Sequence, residues 1–361
     1  MRAPGPGGDP RRRGSAGGRG RGHVAPAPQA GGTGVSRLDT ALTRDAGIRV
    51  PLICGPMYPC SNPELVAAVS EAGGLGVLQP VTLTYVFGFE FREGLRKIRS
   101  LTDRPIGMNC LIEASSRAYR DRMERWVDVA LDEGVRFFVT SLGKPDWVVR
   151  RAHERGAVVY HDVTERKWAL KARDGGVDGL IAVNRRAGGH PGPLGPEALL
   201  DDLRDLDLPV VCAGGVAAPD GVSDVLAMGY AGVQMGTRFI ATPECAASQA
   251  YKEAIVAADE DDVVWTERIT GVPVAVLDTP FVRAVGTRAG PLARRLLRGR
   301  RTKHWMRTFY ALRSLRRLKR SSIGRGRDDY WQAGRSVAGI DSIRPAGDIV
   351  ADCAARLERA P

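Results

Sequence analysis

The 361-residue sequence lacks any uninterrupted apolar run near the roughly 18 residues that a membrane-spanning helix needs. Its six cysteines are scattered and form no Cys-x-x-Cys pair, so neither a zinc site nor a disulfide framework is indicated. Thiols of this kind are reduced by default in a cytoplasm. Only 6% of the residues are aromatic, but 43% are hydrophobic, enough for one large core or two modest ones. We therefore expect a soluble cytoplasmic protein without a metal site.

Carboxylates are absent from residues 279–327, which carry sixteen lysines and arginines. Residues 1–40 have seven arginines against two aspartates, whereas residues 41–278 carry a net charge of −7. The overall charge of +12 therefore resides in two appendages and not in the body of the protein. A nucleic-acid-binding or scaffold protein with basic arms would bind nucleic acid in a salt-dependent manner. The acidic body argues against that function, so we expect no nucleic-acid partner.

Large apolar side chains are nearly missing from the first 34 residues, which are rich in glycine, proline, alanine and arginine. Such a segment buries too little surface to offset its ordering entropy, so it is predicted to be disordered. It lacks the amphipathic face of a transit peptide and the apolar core of a signal peptide. We predict a disordered tail over residues 1–40, a barrel over 41–258, and a mostly helical basic extension over 259–361 that packs on the barrel.

Short apolar runs alternate with helical patterns from residue 49 onward. Leu65, Ala68, Val69 and Ala72 mark one face of the first helix. Later helices are predicted to begin near Asp146 and Thr164, both able to cap a helix. The eight predicted strands are Val50–Cys54, Leu75–Leu78, Ile106–Cys110, Phe137–Thr140, Val158–Tyr160, Gly179–Val183, Val210–Ala213 and Gly232–Met235.

Eight β/α units imply parallel strands that close into a (β/α)8 TIM barrel, and an open doubly wound sheet is the alternative. In a barrel all strand carboxyl ends meet at one face, where ligands bind. The predicted strand ends would bring together Met57, Asn109, Ser141, His161, His190, Gly214, Gly215 and Thr237.

A Gly-Gly-His run follows the sixth predicted strand. Residues without side chains let a backbone approach a planar ligand, so Gly188 and Gly189 would seat a cofactor beside the imidazole of His190. The alternative is an ordinary glycine-rich turn with a surface histidine.

Glycine turns also follow the seventh and eighth predicted strands, at Gly214-Gly215 and at Gly236-Thr237. The loops after these two strands commonly hold a phosphate in barrels, often at the start of a short helix. Tight turns that need glycine for their geometry would explain each pair separately.

These motifs together resemble the nitronate monooxygenase family, formerly called 2-nitropropane dioxygenases. The similarity rests on Gly55-Pro56-Met57, Asn109, Ala187-Gly188-Gly189-His190, Ala213-Gly214-Gly215 and Gln234-Met235-Gly236-Thr237-Arg238-Phe239, in order between about residues 45 and 255. Members of that family are barrels that bind FMN non-covalently and oxidise alkyl nitronates with molecular oxygen. The resemblance implies that His190 is the catalytic base. It also implies that the cofactor is bound by Met57, Asn109, Val183, Gly188, Gly214, Gly215, Gln234, Met235, Gly236 and Thr237.

The sequence departs from the family at residues 183–186, where many members have Gln-Gly-x-Glu and this chain has Val-Asn-Arg-Arg. An arginine in place of the glutamate reverses the charge beside the pocket. This change would favour an anionic substrate or would be neutralised by an ion pair outside the pocket.

The flavin-dependent enoyl-acyl-carrier-protein reductases have the same fold and a similar glycine-histidine loop, so an NAD(P)H-dependent thioester reductase is the alternative function. Trp305, Phe309 and Leu312 define a basic amphipathic helix that would receive an acyl carrier protein or coenzyme A, or would simply be a solvated face. Residues 330–334 are candidates to return to the barrel mouth. An inosine-monophosphate-dehydrogenase-like enzyme is disfavoured because no cysteine nucleophile follows the sixth strand. At the end of the fifth strand, His161 either contacts the substrate or is a hydrogen-bonded structural residue.

Overall fold

The computed structural model describes residues 37–113, 117–268, 272–288, 318–324 and 329–359. Eight parallel strands pair in chain order, and the eighth pairs with the first, so the sheet closes into a barrel. The strands are β1 (Leu52–Cys54), β2 (Leu75–Leu78), β3 (Ile106–Ile112), β4 (Phe137–Leu142), β5 (Val158–Val163), β6 (Gly179–Val183), β7 (Val210–Ala213) and β8 (Gly232–Met235). The predicted TIM barrel is confirmed, and the open sheet is excluded.

Helices connect successive strands and surround the barrel. A short helix, α1 (Ala41–Ala46), precedes β1. The connecting helices are α2 (Pro63–Glu71), α3 (Phe91–Arg99), α4 (Arg117–Asp132), α5 (Asp146–His153), α6 (Arg166–Asp174), α7 (Pro196–Leu203) and α8 (Pro219–Met228). After β8 come α9 (Thr237–Ile240), α10 (Gln249–Val256), the antiparallel strands β9 (Val263–Thr266) and β10 (Val274–Leu277), α11 (Pro280–Val285) and α12 (Ala346–Glu358).

The predicted strands agree with the structure in number and order, but β3, β4 and β5 continue for two or three residues beyond their predicted ends. The prediction stopped at Tyr160 because the next residues, His161 and Asp162, are polar. Parallel pairing with β6 nevertheless continues through both of them. Two helices begin near the predicted residues, α5 at Asp146 and α6 at Arg166, but neither Asp146 nor Thr164 is the N-cap, which is Pro145 for α5 and Glu165 for α6.

The inner face of the barrel carries a closed apolar layer, because alternate residues of each strand point inward. Leu42 and Ala46 of α1 belong to the same cluster and therefore close the amino-terminal end of the barrel. The hydroxyl of Tyr160 donates a hydrogen bond to Asp45 Oδ2 over 2.8 Å at this end. Ligands are thus confined to the opposite end, the mouth, where the strands have their carboxyl ends. The strand residues of the inner layer are Ile53, Leu75, Val77, Phe137, Val139, Tyr160, Ile181, Val211 and Ala213.

The outer core lies between the strands and the helices and extends to the last helix, α12, which packs against α2 and α8. The described part of the carboxyl-terminal extension also contains the β9–β10 pair, which hydropathy did not reveal. Trp305, Phe309 and Leu312, the apolar residues of the predicted basic helix, lie outside the described residues. All six cysteines are buried free thiols. In the described ranges, no helix is both long enough and apolar enough to cross a membrane.

Candidate active site

The side chains of Asn109, Asp162 and Gln234 are polar and lie on the inner face of the barrel, above its apolar layer. Asn109 pairs with Val139, Asp162 with Ile181, and Gln234 with Ile53, and each of these partners belongs to the inner cluster. Paired residues of parallel strands point to the same side of a sheet. We call Asn109 Oδ1, Asp162 Oδ1 and Gln234 Oε1 the inner-face oxygens. Each is buried and has no hydrogen-bond partner among the described residues.

Unpartnered buried oxygens are uncommon, because a carbonyl or carboxylate oxygen removed from water loses its hydration without compensation. Three of them around the same mouth indicate a surface built to accept hydrogen bonds from a ligand. Gly55 helps to form this surface, because a β-carbon at Gly55 would lie 2.9 Å from Gln234 Cγ. The glycine of the Gly-Pro-Met run therefore makes room for the glutamine side chain.

The loops after β1 and β8 come together at Met57 and Gly236. A β-carbon on Gly236 would lie 3.4 Å from Met57 Sδ. The N–H of Met57 donates to Ser61 Oγ over 2.8 Å, which holds this loop in place. Val183, the last residue of β6, also packs against the inner cluster. Met235 differs from these residues because its side chain packs in the outer core.

The Gly-Gly-His loop is held by backbone contacts on two sides. The N–H of Ala275, on β10, donates to the carbonyl of Gly189 over 2.8 Å. On the other side, a β-carbon on Gly188 would lie 2.9 Å from the backbone nitrogen of Gly334. Gly188 therefore permits close approach of another backbone segment. Its expected role in seating a cofactor would be additional. Gly189 needs glycine for its backbone, because its φ is +70°.

His190 follows this restrained turn, in the loop after the carboxyl end of β6. Its side chain is open to solvent, but protein atoms around it remove part of its hydration, and this lowers the pKa of the imidazole below its ordinary value. Both properties are expected of a side chain in the wall of a cleft. The imidazole is therefore neutral at pH 7, the state in which it accepts a proton.

Asn184 joins the Gly-Gly-His loop to the turn after β7. Its Nδ2 donates to the carbonyl of Gly214 over 2.9 Å, and its Oδ1 accepts from the N–H of Arg186 over 2.8 Å. Gly214 and Gly215 have φ values of +114° and +85°, and β-carbons there would lie 2.5 Å from Ala187 N and from Arg186 Nε. These two glycines are therefore required by the geometry of the turn and by its packing. A role in binding phosphate would be additional.

Residues 329–339, which we call the crossing segment, return to the mouth. The N–H of Gly334 donates to Thr237 Oγ1 over 3.0 Å, at the first residue of α9. The hydroxyl of Tyr251 donates to the carbonyl of Gln332, and the ring of Tyr251 stacks on Trp331 with centroids 5.5 Å apart. The predicted return of residues 330–334 to the mouth is confirmed.

The two arginines that replace the family's residues at 185 and 186 differ in their surroundings. Arg186 forms an ion pair with Glu260. Of the two expected consequences of the reversed charge, an anionic substrate or an ion pair, the structure has the ion pair. Arg185 is exposed and has no ion-pair partner in the described part of the chain.

His161 lies on the outer face of β5, away from the mouth. Its Nδ1 shares a hydrogen bond of 2.8 Å with Thr140 Oγ1 on β4. Burial lowers the pKa of this imidazole to about 4, so it is neutral and structural at pH 7. Of the two alternatives for His161, the structural role is correct.

Asp162, one residue later, is the inner-face residue that the sequence did not reveal. The predicted strand ended at Tyr160, and continuing its alternation by one more step would have placed Asp162 inward with Tyr160. Burial raises the pKa of the Asp162 carboxyl to about 7.

The sequence profile of the nitronate monooxygenase family matches residues 39–354. The chain is 34% identical over 252 residues to (3aS,4S,5R,7aS)-5-hydroxy-7a-methyl-1-oxo-octahydro-1H-indene-4-carboxyl-CoA dehydrogenase of Rhodococcus jostii, covering 70% of this chain and 69% of the relative. It is 31% identical over 257 residues to nitronate monooxygenase of Pseudomonas aeruginosa, covering 59% of this chain and 72% of the relative. A solved structure of FabK from Thermotoga maritima superposes with a TM-score of 0.72 at 29% identity, covering 89% of this chain and 96% of that one.

Proposed function

Because the chain belongs to the nitronate monooxygenase family, we propose that it is an FMN-dependent oxidoreductase that oxidises alkyl nitronates or nitroalkanes with molecular oxygen. The observation that supports this proposal is the combination of His190, neutral at pH 7 and in the loop that follows the carboxyl end of β6, with the inner-face oxygens. A neutral base next to acceptor-rich walls suits the removal of a proton from a carbon acid.

The residues of the mouth fit a flavin. The amide side chains of Asn109 and Gln234 offer N–H donors and unpartnered oxygens, which match a ring edge that carries both N–H and carbonyl groups. The residues that would contact the flavin ring are Met57, Val183 and Gly188. Gly214, Gly215, Gly236 and Thr237 would hold the phosphate through backbone N–H groups, and Met235 would contribute only its backbone. When bound, FMN would supply the electron transfer and the oxygen chemistry.

The role of His190 follows from the acidity of nitroalkanes. A neutral nitroalkane must lose its α-proton to become the electron-rich nitronate, and the imidazole of His190 would take that proton. A substrate that arrives as the nitronate needs no base, so His190 would then orient it or balance its charge. The β10 contact with Gly189 fixes the residue before His190 and so restricts the directions from which the imidazole approaches a substrate.

A second candidate function is the oxidation or NAD(P)H-dependent reduction of a thioester of coenzyme A or an acyl carrier protein. Two observations favour it: Arg185 in the loop after β6, exposed and without an ion-pair partner among the described residues, and the 34% identity to a dehydrogenase whose name specifies a carboxyl-CoA compound. An exposed guanidinium is suited to a phosphate of coenzyme A. The α-carbon of a thioester is also a carbon acid, so the same base would serve.

The test is anaerobic mixing of the yellow holoprotein with propyl-2-nitronate, with NADPH and with a saturated acyl-CoA, each alone. Loss of the flavin absorbance with the nitronate only supports nitronate oxidation. Loss with NADPH or with the acyl-CoA supports the thioester reaction in its reducing or oxidising direction. A protein purified without flavin, or one that none of the three reduces, contradicts both.

A further inference from the structure

Asp162 is a carboxyl that neither the resemblance nor the family's implied site includes, although it lies where a substrate would. It is on the inner face of β5, where it pairs with Ile181 and lies two residues after Tyr160 on the same face. The residue is half-buried, and its Oδ1 is shielded from solvent without a partner among the described residues. The carboxyl therefore lies on the inner face of the barrel, near the carboxyl end of β5.

The Gly-Gly-His loop packs directly on the carboxyl end of β5. A β-carbon on Gly192 would lie 2.5 Å from the carbonyl oxygen of Val183 and 3.1 Å from Thr164 Cβ. Gly192 follows His190 by two residues, and Thr164 follows Asp162 by two residues. This contact brings the loop that carries the imidazole and the strand that carries the carboxyl to the same part of the mouth.

In the described strands on either side of β5, no cation faces Asp162. On the inner face, β4 presents Val139 and Ser141, and β6 presents Ile181 and Val183, none of which is charged. The loop after β6 carries Arg185, Arg186 and His190; Arg186 pairs with Glu260, Arg185 is exposed, and His190 is neutral at pH 7. Loss of hydration is the cause of the raised pKa of Asp162, and it favours the protonated carboxyl.

We propose that Asp162 is a second catalytic residue, a protonated carboxyl that donates a hydrogen bond to the substrate oxygen on which negative charge develops when His190 removes the α-proton. The proton of the substrate carbon passes to the imidazole, the C–H electron pair becomes the new C=N bond of a nitronate or C=C bond of a thioester enolate, and the N=O or C=O π pair moves onto the oxygen. The O–H of Asp162 stays on the carboxyl, and its hydrogen bond strengthens as the charge grows. This inference rests on the proposed function, because it assigns His190 the role of base.

The two groups set a pH window. His190 acts as a base above its own pKa, which is lower than its ordinary value, and Asp162 acts as a donor below a pKa of about 7. Both are in their working state together only between these two values. We therefore expect a bell-shaped dependence of kcat/KM on pH whose alkaline limb belongs to Asp162.

Infrared difference spectroscopy of the holoprotein during a pH titration tests the protonation state without a substrate. The wild type should show a carboxylic-acid C=O band that disappears with a midpoint near pH 7. Asp162→Asn should lack this band, and Asp224→Asn, which alters an exposed aspartate on α8, should keep it. A wild type without such a band, or a band that persists in Asp162→Asn, overturns the proposal.

Turnover of nitroethane tests the catalytic role. Asp162→Asn keeps a hydrogen-bond donor but cannot ionise, so it should retain most of its activity and lose the alkaline limb. Asp162→Leu should lose about 100-fold in kcat/KM, the typical effect of removing one such donor. Full activity of Asp162→Leu together with an inactive His190→Asn overturns the role of Asp162 and leaves the proposed function intact. Full activity of His190→Asn overturns the proposed function itself, and loss of FMN from Asp162→Leu would place the carboxyl in the cofactor site and overturn the inference.

Discussion

The N–H of Gly334 donates a hydrogen bond of 3.0 Å to Thr237 Oγ1, and thereby attaches the crossing segment to the first residue of α9. Gly334 also packs against Gly188, so one glycine contacts both the turn after β8 and the Gly-Gly-His loop after β6. The carboxyl-terminal extension is therefore part of the wall of the mouth. Residues nearly 150 positions from His190 in the sequence control the position of its loop.

Gly334→Ala should distort the mouth. The added β-carbon would lie 2.6 Å from Gly188 N and 2.8 Å from the carbonyl oxygen of Arg186, and neither backbone atom moves without the loop. We expect the free energy of unfolding to fall by about 1–3 kcal/mol, as for other overpacked sites, and the affinity for FMN to fall with it. Urea denaturation and fluorescence titration with FMN measure the two effects. Gly347→Ala, in helix α12, is the control. Its added β-carbon would lie 4.0 Å from Ala72 Cβ, an ordinary contact, so the substitution should be neutral or stabilising.

His190→Asn should lose about 10²–10⁴-fold in kcat/KM for neutral nitroethane, the usual contribution of a general base. Its turnover of the preformed nitronate should change far less, because that substrate has already lost its proton. In the wild type, loss of hydration lowers the pKa of His190, so activity should persist as the pH falls below 6.5 and be lost only as the pH passes through the lowered value. A variant equally impaired with both substrates would show that His190 is not the base.

His161 should limit stability in acid. Its pKa is about 4 in the folded protein, below the ordinary value of 6.5, so the unfolded chain takes up a proton first as the pH falls. The stability that neutral His161 contributes is complete above pH 6.5 and decreases between pH 6.5 and pH 4 by about 3 kcal/mol. Denaturant titrations across this range should show a smaller decrease for His161→Asn. His153→Asn, at an exposed histidine on α5, should keep the wild-type decrease, and equal slopes for all three proteins would contradict the assignment.

Arg185 and Arg186 should differ in their effect on anionic substrates. Arg185→Gln removes an unpaired exposed cation, and we expect KM for an acyl-CoA to rise about 3- to 10-fold, equivalent to roughly 1 kcal/mol of one charge-assisted contact. Arg186→Gln removes a cation that Glu260 already neutralises, so KM should change less than twofold. Steady-state kinetics at low ionic strength measure both values. If neither variant changes KM for an acyl-CoA, the exposed Arg185 no longer supports the thioester function.

Much of the fold was predictable because its strands are buried on both faces. A parallel barrel strand therefore appears as a continuous apolar run, as Gly179–Val183 and Val210–Ala213 do. The prediction failed where polar residues continue a strand. His161 and Asp162 extend β5 and face opposite sides of the sheet; burial shifts both pKa values toward the neutral form, down for the imidazole and up for the carboxyl.

The glycine motifs were also visible in the sequence, but their reasons were not. Gly214 and Gly215 satisfy the turn that packs on Ala187 and Arg186, and Gly188 allows the crossing segment to approach. Several of these contacts join segments far apart in the chain, and no local pattern records which backbone will lie against a given glycine.

The sequence by itself determined the eight-fold β/α alternation, the order of the strands and the presence of a histidine beside a glycine turn, since hydrophobic periodicity and turn chemistry are local. Only the tertiary structure decided that Asp162 faces the mouth while His161 does not, that Glu260 neutralises Arg186, and that the crossing segment closes on Gly188. The physical reason is that burial, and with it hydration, pKa and hydrogen-bond satisfaction, depends on which distant residues surround a side chain.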